Sequence, residues 1–474
     1  MNLNSNHSSR ETFSSVDTAW LHMDTPTNLA VITGVMSFPE PLDFDRLRMT
    51  IEARLLPFAR FRQRVQESTL PLGLPHWEYD PAFNLNYHLQ RIELPEPGDH
   101  AALQDLVGRM MGTPLDRARP LWQFLYIDNY ADGSALVARL HHCIADGIAL
   151  MQVLLSMTDE TPDATYSEPT VEPEEPISTF GRMLWPVMKA AVTINRTVHS
   201  AERVFHEGVD TLTHPTRLRE AARYGTAGSK ALGKLLLIPP DHRTIFKHKC
   251  DVAKRAAWST AIQVEDVKAV GQTMGGTIND ILLSAVTGSL RRYLEERSEP
   301  VERLDIRAIV PVNLRPSDEL DQMGNRFGLV FLSLPIGIKD PIKRLIVLRR
   351  RMDTIKNSPE AVVALGILTV IGLTPKQIEK IIISIFGMKG TAVITNVPGP
   401  RHTLYLAGQP INSLMFWVPA PGTLSIGVSI ISYAGKVILG VNTDASIVPD
   451  PERIIELFQV EFEHLKNWGH PSTK

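Results

Sequence analysis

The residues of this chain best equipped for chemistry are two adjacent histidines followed by an aspartate and a glycine, His141-His142-Cys143-Ile144-Ala145-Asp146-Gly147. The string follows the alternating stretch LVARL and precedes the apolar stretch IALMQVLLSM, so it occupies a strand-to-helix corner, where side chains project into clefts. Adjacent residues at a strand end point in different directions, so one imidazole faces a substrate and the other packs. Imidazole titrates near neutrality, and a single ring both removes a proton from a hydroxyl and returns it to a leaving group. Asp146 suits pairing with an arginine that holds the loop, and Gly147 permits a tight backbone. The ordinary alternative is a pair of satisfied core histidines. No neighbouring Cys or His completes a tetrahedral set at zinc spacing, so no metal site is expected.

Such a corner needs a scaffold, and the composition says which kind. With 474 residues the chain exceeds the size at which one hydrophobic core stops growing, so two domains of roughly 200 residues are expected. It is 43% hydrophobic and 21% charged, which is ordinary globular usage. A net charge of -3 offers no attraction for nucleic acid, so DNA and RNA are not expected partners. Two cysteines, Cys143 and Cys250, are too few for a disulfide framework and fit free thiols in a reducing, cytoplasmic compartment. The first residues, MNLNSNHSSR, are polar and carry no secretory signal. The longest apolar candidate, Ala361 to Leu373, is too short to span a bilayer.

Hydrophobic periodicity places the corner in a mixed α/β fold. Ala30 to Phe38 reads as a strand, Asp43 to Leu55 as a helix, and His76 to Leu94 as extended. His100 to Met111 has helical spacing. Leu121 to Ile127 and Ala135 to His141 form a strand pair around the turn Ala131-Asp132-Gly133. The acidic, proline-rich run DETPDATYSEPTVEPEEP from Asp159 is a linker. Beyond it, Val264 to Gly271 and Asn279 to Glu295 read as helices, and Asp305 to Val312, Arg326 to Leu334 and Val437 to Thr443 as strands. The expected organisation is an N-terminal lobe over 1–158, a linker and helical connecting segment over 159–254, and a second lobe of the same kind over 255–474.

HHCIADG matches the HHxxxDG signature of coenzyme A-dependent acyltransferases and peptide-synthetase condensation domains. Further strings occur in a matching order: Ser15-Val16-Asp17, Pro120-Leu121-Trp122, Asn279-Asp280, Pro311-Val312-Asn313-Leu314-Arg315, Gly324-Asn325-Arg326 and Thr395-Asn396-Val397-Pro398-Gly399-Pro400. Together they resemble the bacterial wax ester synthase/diacylglycerol acyltransferase family over roughly Phe13 to Leu465. The segment from Asp159 to about Lys254 carries no family string.

The resemblance implies two chloramphenicol-acetyltransferase-like lobes forming a pseudo-dimer with a tunnel between them. It implies His142 as general base, His141, Asp146 and Gly147 as its support, acyl-coenzyme A as substrate rather than cofactor, and a fatty alcohol or diacylglycerol as acceptor. Asn279 is a candidate oxyanion donor or an ordinary helix N-cap. Arg315 is a candidate partner for Asp146 or a surface arginine, and Trp122 walls the tunnel or fills the core. Gly324 and Asn325, like Thr395 to Pro400, read as loops that line the cleft or simply turn. Long acyl substrates partition into membranes, so peripheral contact with the inner membrane face or lipid droplets is expected. Ile177 to Val192, and Ala361 to Leu373 followed by Lys376, Lys380 and Lys389, suit it, with burial against the other lobe as the alternative. The competing functions are a condensation-type enzyme using carrier-bound acyl groups and an inactive lipid-binding homologue.

Overall fold

The computed structural model describes residues 11–68, 73–163, 237–314, 327–356, 358, 363–364, 367, 376–420 and 422–469. Arg315, Gly324, Asn325, the apolar segment 177–192 and most of 361–373 lie outside the described residues.

The N-terminal half contributes β1 (Glu11–Thr12), α1 (Ser15–Met23), β2 (Val31–Phe38), α2 (Phe44–Arg54), β3 (Gln63–Gln66), β4 (His76–Tyr79), α3 (Leu85–His88), β5 (Leu89–Ile92), α4 (His100–Met111), β6 (Trp122–Tyr130), β7 (Gly133–His141) and α5 (Gly147–Ser156). Every residue of β2 and β7 is buried, as befits central strands covered on both faces. Their helices begin where short polar side chains accept from the first free amides: Asp43 from Asp45 and Arg46 ahead of α2, and Asp99 from Ala102 ahead of α4. The β6–β7 hairpin closes with Ala131 at φ 50°, and Gly133 leaves room for the Phe38 carbonyl that a β-carbon would strike.

The C-terminal half supplies β8 (Lys254–Trp258), β9 (Ile262–Gln263), α6 (Val264–Met274), α7 (Ile278–Glu296), β10 (Ile306–Asn313), β11 (Phe327–Leu334), α8 (Pro341–Lys356), α9 (Lys376–Met388), β12 (Ala392–Pro398), β13 (Tyr405–Leu406), β14 (Gln409–Pro410), β15 (Ser413–Trp417), β16 (Ile426–Tyr433), β17 (Lys436–Asp444) and α10 (Pro451–Gly469). Its sheet runs β11-β10-β12-β16-β17-β8, with β9 also on β17, and its core is built around the almost wholly buried α7. The fold is thus mixed α/β with two lobes, each a sheet flanked by helices.

The lobes interleave. The N-terminal sheet runs β15-β2-β7-β6-β5, so residues 413–417 leave the C-terminal half and pair antiparallel with β2, Trp417 opposite Thr33. Met415, Phe416 and Trp417 are buried in the N-terminal core, while Phe246, from the connecting segment, packs in the C-terminal core.

Three expectations change. Thr395 to Pro398 is not loop but the end of β12, a central strand paired in parallel with β16 through Pro398; its Asn, Pro and Gly suggest a turn, and pairing on the sheet overrides them. The extended region 76–94 is interrupted by the helical turn α3, which Asn84 caps by accepting from the Asn86 amide. Lys389 is a buried residue whose ammonium lies 5.1 Å from the Phe386 ring centroid, so it is no surface cation.

Candidate active site

The corner between β7 and α5 is held by backbone before any side chain acts. The amide of His141 donates to Leu121 O at 3.0 Å, that of His142 to Ala30 O at 2.7 Å, and that of Ile144 to His141 O at 3.0 Å. These bonds tie the corner to both strands flanking β7. They also turn the two imidazoles into different surroundings.

His141 is 1% exposed, and its Nδ1 accepts the Cys143 amide at 3.1 Å. Its proton therefore sits on Nε2, which faces Asp24 Oδ2 at 3.6 Å. Asp24 also accepts from the Ala30 amide at 2.8 Å and from Arg117 at 3.0 Å. Burial alone would raise this carboxyl, but His141, the Ala30 amide and the Arg117 guanidinium outweigh it and bring the pKa down to about 2. A ring whose lone pair is spent on a backbone amide and whose N–H faces a fixed carboxylate is a brace, not a base.

The His142 ring lies elsewhere, stacked on the Trp20 indole with centroids 3.8 Å apart and planes at 14°. Phe327 tilts against it at 5.6 Å and 50°. Trp20 belongs to α1, whose start Ser14 caps by accepting from the Asp17 amide at 3.0 Å. Phe327 opens β11 of the other lobe, so this imidazole sits at the seam between lobes, 4% exposed. The far side of α1 is pinned by His22 Nδ1 against Glu379 Oε2 of α9 at 2.7 Å. Cys143 is fully buried, and burial pushes its thiol well above the ordinary value, which removes it as a nucleophile.

The other expected residues fall into distinct places. Asp146 is buried directly before α5, which Gly147 opens. Leu121 supports the corner through its carbonyl, and Trp122 fills the core: it is 1% exposed, stacks on His88 at 4.5 Å and donates from Nε1 to Phe61 O at 2.9 Å. Pro120 accepts the Trp122 amide at 2.9 Å. Pro120 and Leu121 thus bear on the corner through their carbonyls, and Trp122 lies in the core. Asn279 is not the N-cap of its helix. Thr277 is, in a reciprocal capping box with Asp280, and Asn279 Oδ1 accepts from Asn396 Nδ2 at 2.8 Å.

Sequence reasoning missed Trp20, Asp24 and Phe327. Phe327 directly follows Gly324-Asn325-Arg326, and Trp20 follows Ser15-Val16-Asp17 on one short helix, so both lay beside strings already singled out. Asp24 carried no signal of its own.

Comparison with known proteins agrees with this geometry. The model of the wax ester synthase/diacylglycerol acyltransferase catalytic domain matches residues 12–282, and that of the family's C-terminal domain matches residues 323–466. The chain is 28% identical over 433 residues to the probable diacylglycerol O-acyltransferase tgs1 of Mycobacterium tuberculosis, covering 89% of this chain and 87% of the relative. A wax ester synthase/diacylglycerol acyltransferase from Marinobacter aquaeolei VT8 has the same fold, with a TM-score of 0.68 at 19% identity over 97% of this chain and 99% of that one. The first condensation domain of the calcium-dependent antibiotic synthetase is similar at a TM-score of 0.60 and 13% identity, over 99% and 98% of the two chains. With a family model spanning more than half its length around the HHCIADG corner, the chain belongs to the wax ester synthase/diacylglycerol acyltransferase family of acyltransferases.

Proposed function

We propose that this acyltransferase moves a long-chain acyl group from acyl-coenzyme A to a lipid hydroxyl, with His142 as general base. The observation that carries the assignment is the division of labour at the corner: the acceptor nitrogen of His141 is engaged by the Cys143 amide, whereas His142 is turned to the seam between Trp20 and Phe327. In the reaction, the imidazole takes the hydroxyl proton as the oxygen attacks the thioester carbonyl. The tetrahedral intermediate then collapses with cleavage of the C–S bond, and the imidazolium returns the proton to the departing thiolate. No acyl-enzyme is needed. Diacylglycerol as acceptor is supported by the names of the mycobacterial relatives, and an alcohol that gives a wax ester by that of the Marinobacter protein.

Contact with a lipid surface is supported by α9. Ile381, Ile385 and Met388 are 60%, 40% and 41% exposed along one side of this helix. Leu237 is 83% exposed on a segment tied to this helix by the Asp241 amide, which donates to Met388 O at 2.9 Å. Lys380, next to Ile381 on the same helix, is exposed, and a basic residue beside an apolar stripe suits an anionic interface. Among the described residues no helix is long and apolar enough to cross a membrane.

The decisive assay follows thiol release from a long-chain acyl-coenzyme A, with mass spectrometry of products from mixed fatty alcohols and diacylglycerols. Ester formation tied to thiol release is expected, and hydrolysis without ester would sink the reading. Co-sedimentation with anionic vesicles should be lost in Ile381→Asp/Ile385→Asp; unchanged binding would remove α9 as the docking element.

A further inference from the structure

Helix α1 has 9 residues, too few to hold its shape in water without partners. Where it lies is therefore set by what grips it. Ser14 caps its start, and near its end Arg117 donates to Leu21 O at 3.1 Å. Asp24, directly after the helix, faces His141 Nε2 at 3.6 Å. Between these ends Trp20 lies on the His142 ring. Two residues on, and so roughly opposite across the helix, His22 reaches Glu379 of α9.

The His22–Glu379 pair is a poor device for stability. Glu379 is 0% exposed and the His22 side chain 12%. A carboxylate only accepts, so His22 Nδ1 donates to Glu379 Oε2 at 2.7 Å. The other carboxylate oxygen, Oε1, and the far ring nitrogen, Nε2, are both buried without a hydrogen-bond partner among the described residues. Desolvation of such a pair rivals its attraction, and apolar residues of similar volume in its place often leave a fold equally or more stable.

What the pair supplies is direction. Helix α9 already packs on the N-terminal core through Ile382 and Ile383, which share a face with Glu379. Apolar packing is non-directional and does not by itself fix how α1 is turned about its own axis. A short hydrogen bond from one side of α1 does. That rotation governs the opposite side, where the Trp20 indole lies 3.8 Å from the His142 ring with the planes at 14°.

We infer that the His22–Glu379 pair fixes the rotation of α1 and, through Trp20, the attitude of the His142 ring, which makes His22 and Glu379 positioning residues for acyl transfer. The inference rests on His142 as the base and names what sets that ring in place.

The test replaces both partners, His22→Leu/Glu379→Leu, in the full chain. Its thermal melt should stay at or above that of the wild type. In thiol release from palmitoyl-coenzyme A, kcat should fall about ten- to a hundredfold, the effect of a misplacement of about 1 Å, with KM for the donor little moved. In a His142→Ala background the same double substitution should slow the residual rate no further, because no ring is left to position. Glu379→Gln keeps an acceptor and should recover most of the rate that Glu379→Leu loses. Equal losses in both backgrounds, or wild-type kcat in a double variant that melts normally, would overturn the inference. If that variant does not fold, His22→Leu/Glu379→Gln, which keeps both shapes and removes only the bond, is read the same way. Fluorine NMR of protein labelled with fluorotryptophan, its Trp20 signal assigned by Trp20→Phe, follows the stack without turnover. That signal should move in His142→Ala and in the double variant. A move in both, with full rate in His142→Ala, supports the positioning and sinks His142 as base alone. A signal unmoved by loss of the pair overturns the positioning whatever the rates.

Discussion

The helical layer of the C-terminal lobe and the corner of the N-terminal lobe treat their buried titratable groups differently. In the helical layer of the C-terminal lobe the buried charges are matched: Glu461 of α10 accepts from Arg344 of α8 and Arg292 of α7, knitting three helices together. Around the N-terminal corner, His141 and Asp24 are braced, but the ring of His142 lies against aromatic faces at the seam. A lobe whose buried charges close on one another is a scaffold. One that turns an imidazole toward the partner lobe has the geometry of the proposed reaction site, and the difference tells which substitutions should affect rate and which stability.

The sharpest way to break this contrast is His142→Ala. A lost general base should lower kcat by about 10²–10⁴-fold with little change in melting temperature, read by steady-state thiol release. A comparable rate loss in His141→Ala at intact stability would reverse the assignment of brace and base. In the other lobe, Glu461→Ala leaves Arg344 buried without its carboxylate, and denaturant unfolding should register a loss of about 3–5 kcal/mol. Activity per folded molecule should be unchanged there; a fall in kcat would erase the distinction between lobes.

Asp24→Asn sits between these extremes. Because the carboxyl is held at about 2 against an ordinary 3.8, its contribution is fully present above pH about 4 and is lost as pH falls through about 2. The variant should lose on the order of 2 kcal/mol near neutral pH, and its stability curve should converge with that of the wild type in acid. Parallel curves would mean that Asp24 is not paired in the fold. The smallest effect belongs to Trp122→Phe, which removes the donor to Phe61 O and should cost about 1 kcal/mol in a urea titration without altering KM for the donor.

Much of this architecture was legible from local pattern. The helix at 100–111 and the strands around the hairpin were readable because their periodicity and caps agree with their tertiary surroundings. The HHCIADG corner was readable because it needs only contiguous residues. The ring that stacks on His142 was not, since Trp20 and Phe327 meet it only after helix α1 and strand β11 close on it from different lobes. Residues 395–398 were misread because asparagine and proline announce a turn, and nothing local reveals the parallel neighbours that make them a strand. The sequence SLMFW says strand but not which sheet receives it.

That exchanged strand has a consequence for biosynthesis. While a ribosome is still translating the linker, β2 has a partner in β7 on one side and a bare row of amides and carbonyls on the other, since its second neighbour is encoded at 413–417. The nascent first half should therefore wait, incompletely closed, until residues 413–417 have been made. Separate expression of the halves should yield insoluble N-terminal material that becomes soluble when the C-terminal half is co-produced.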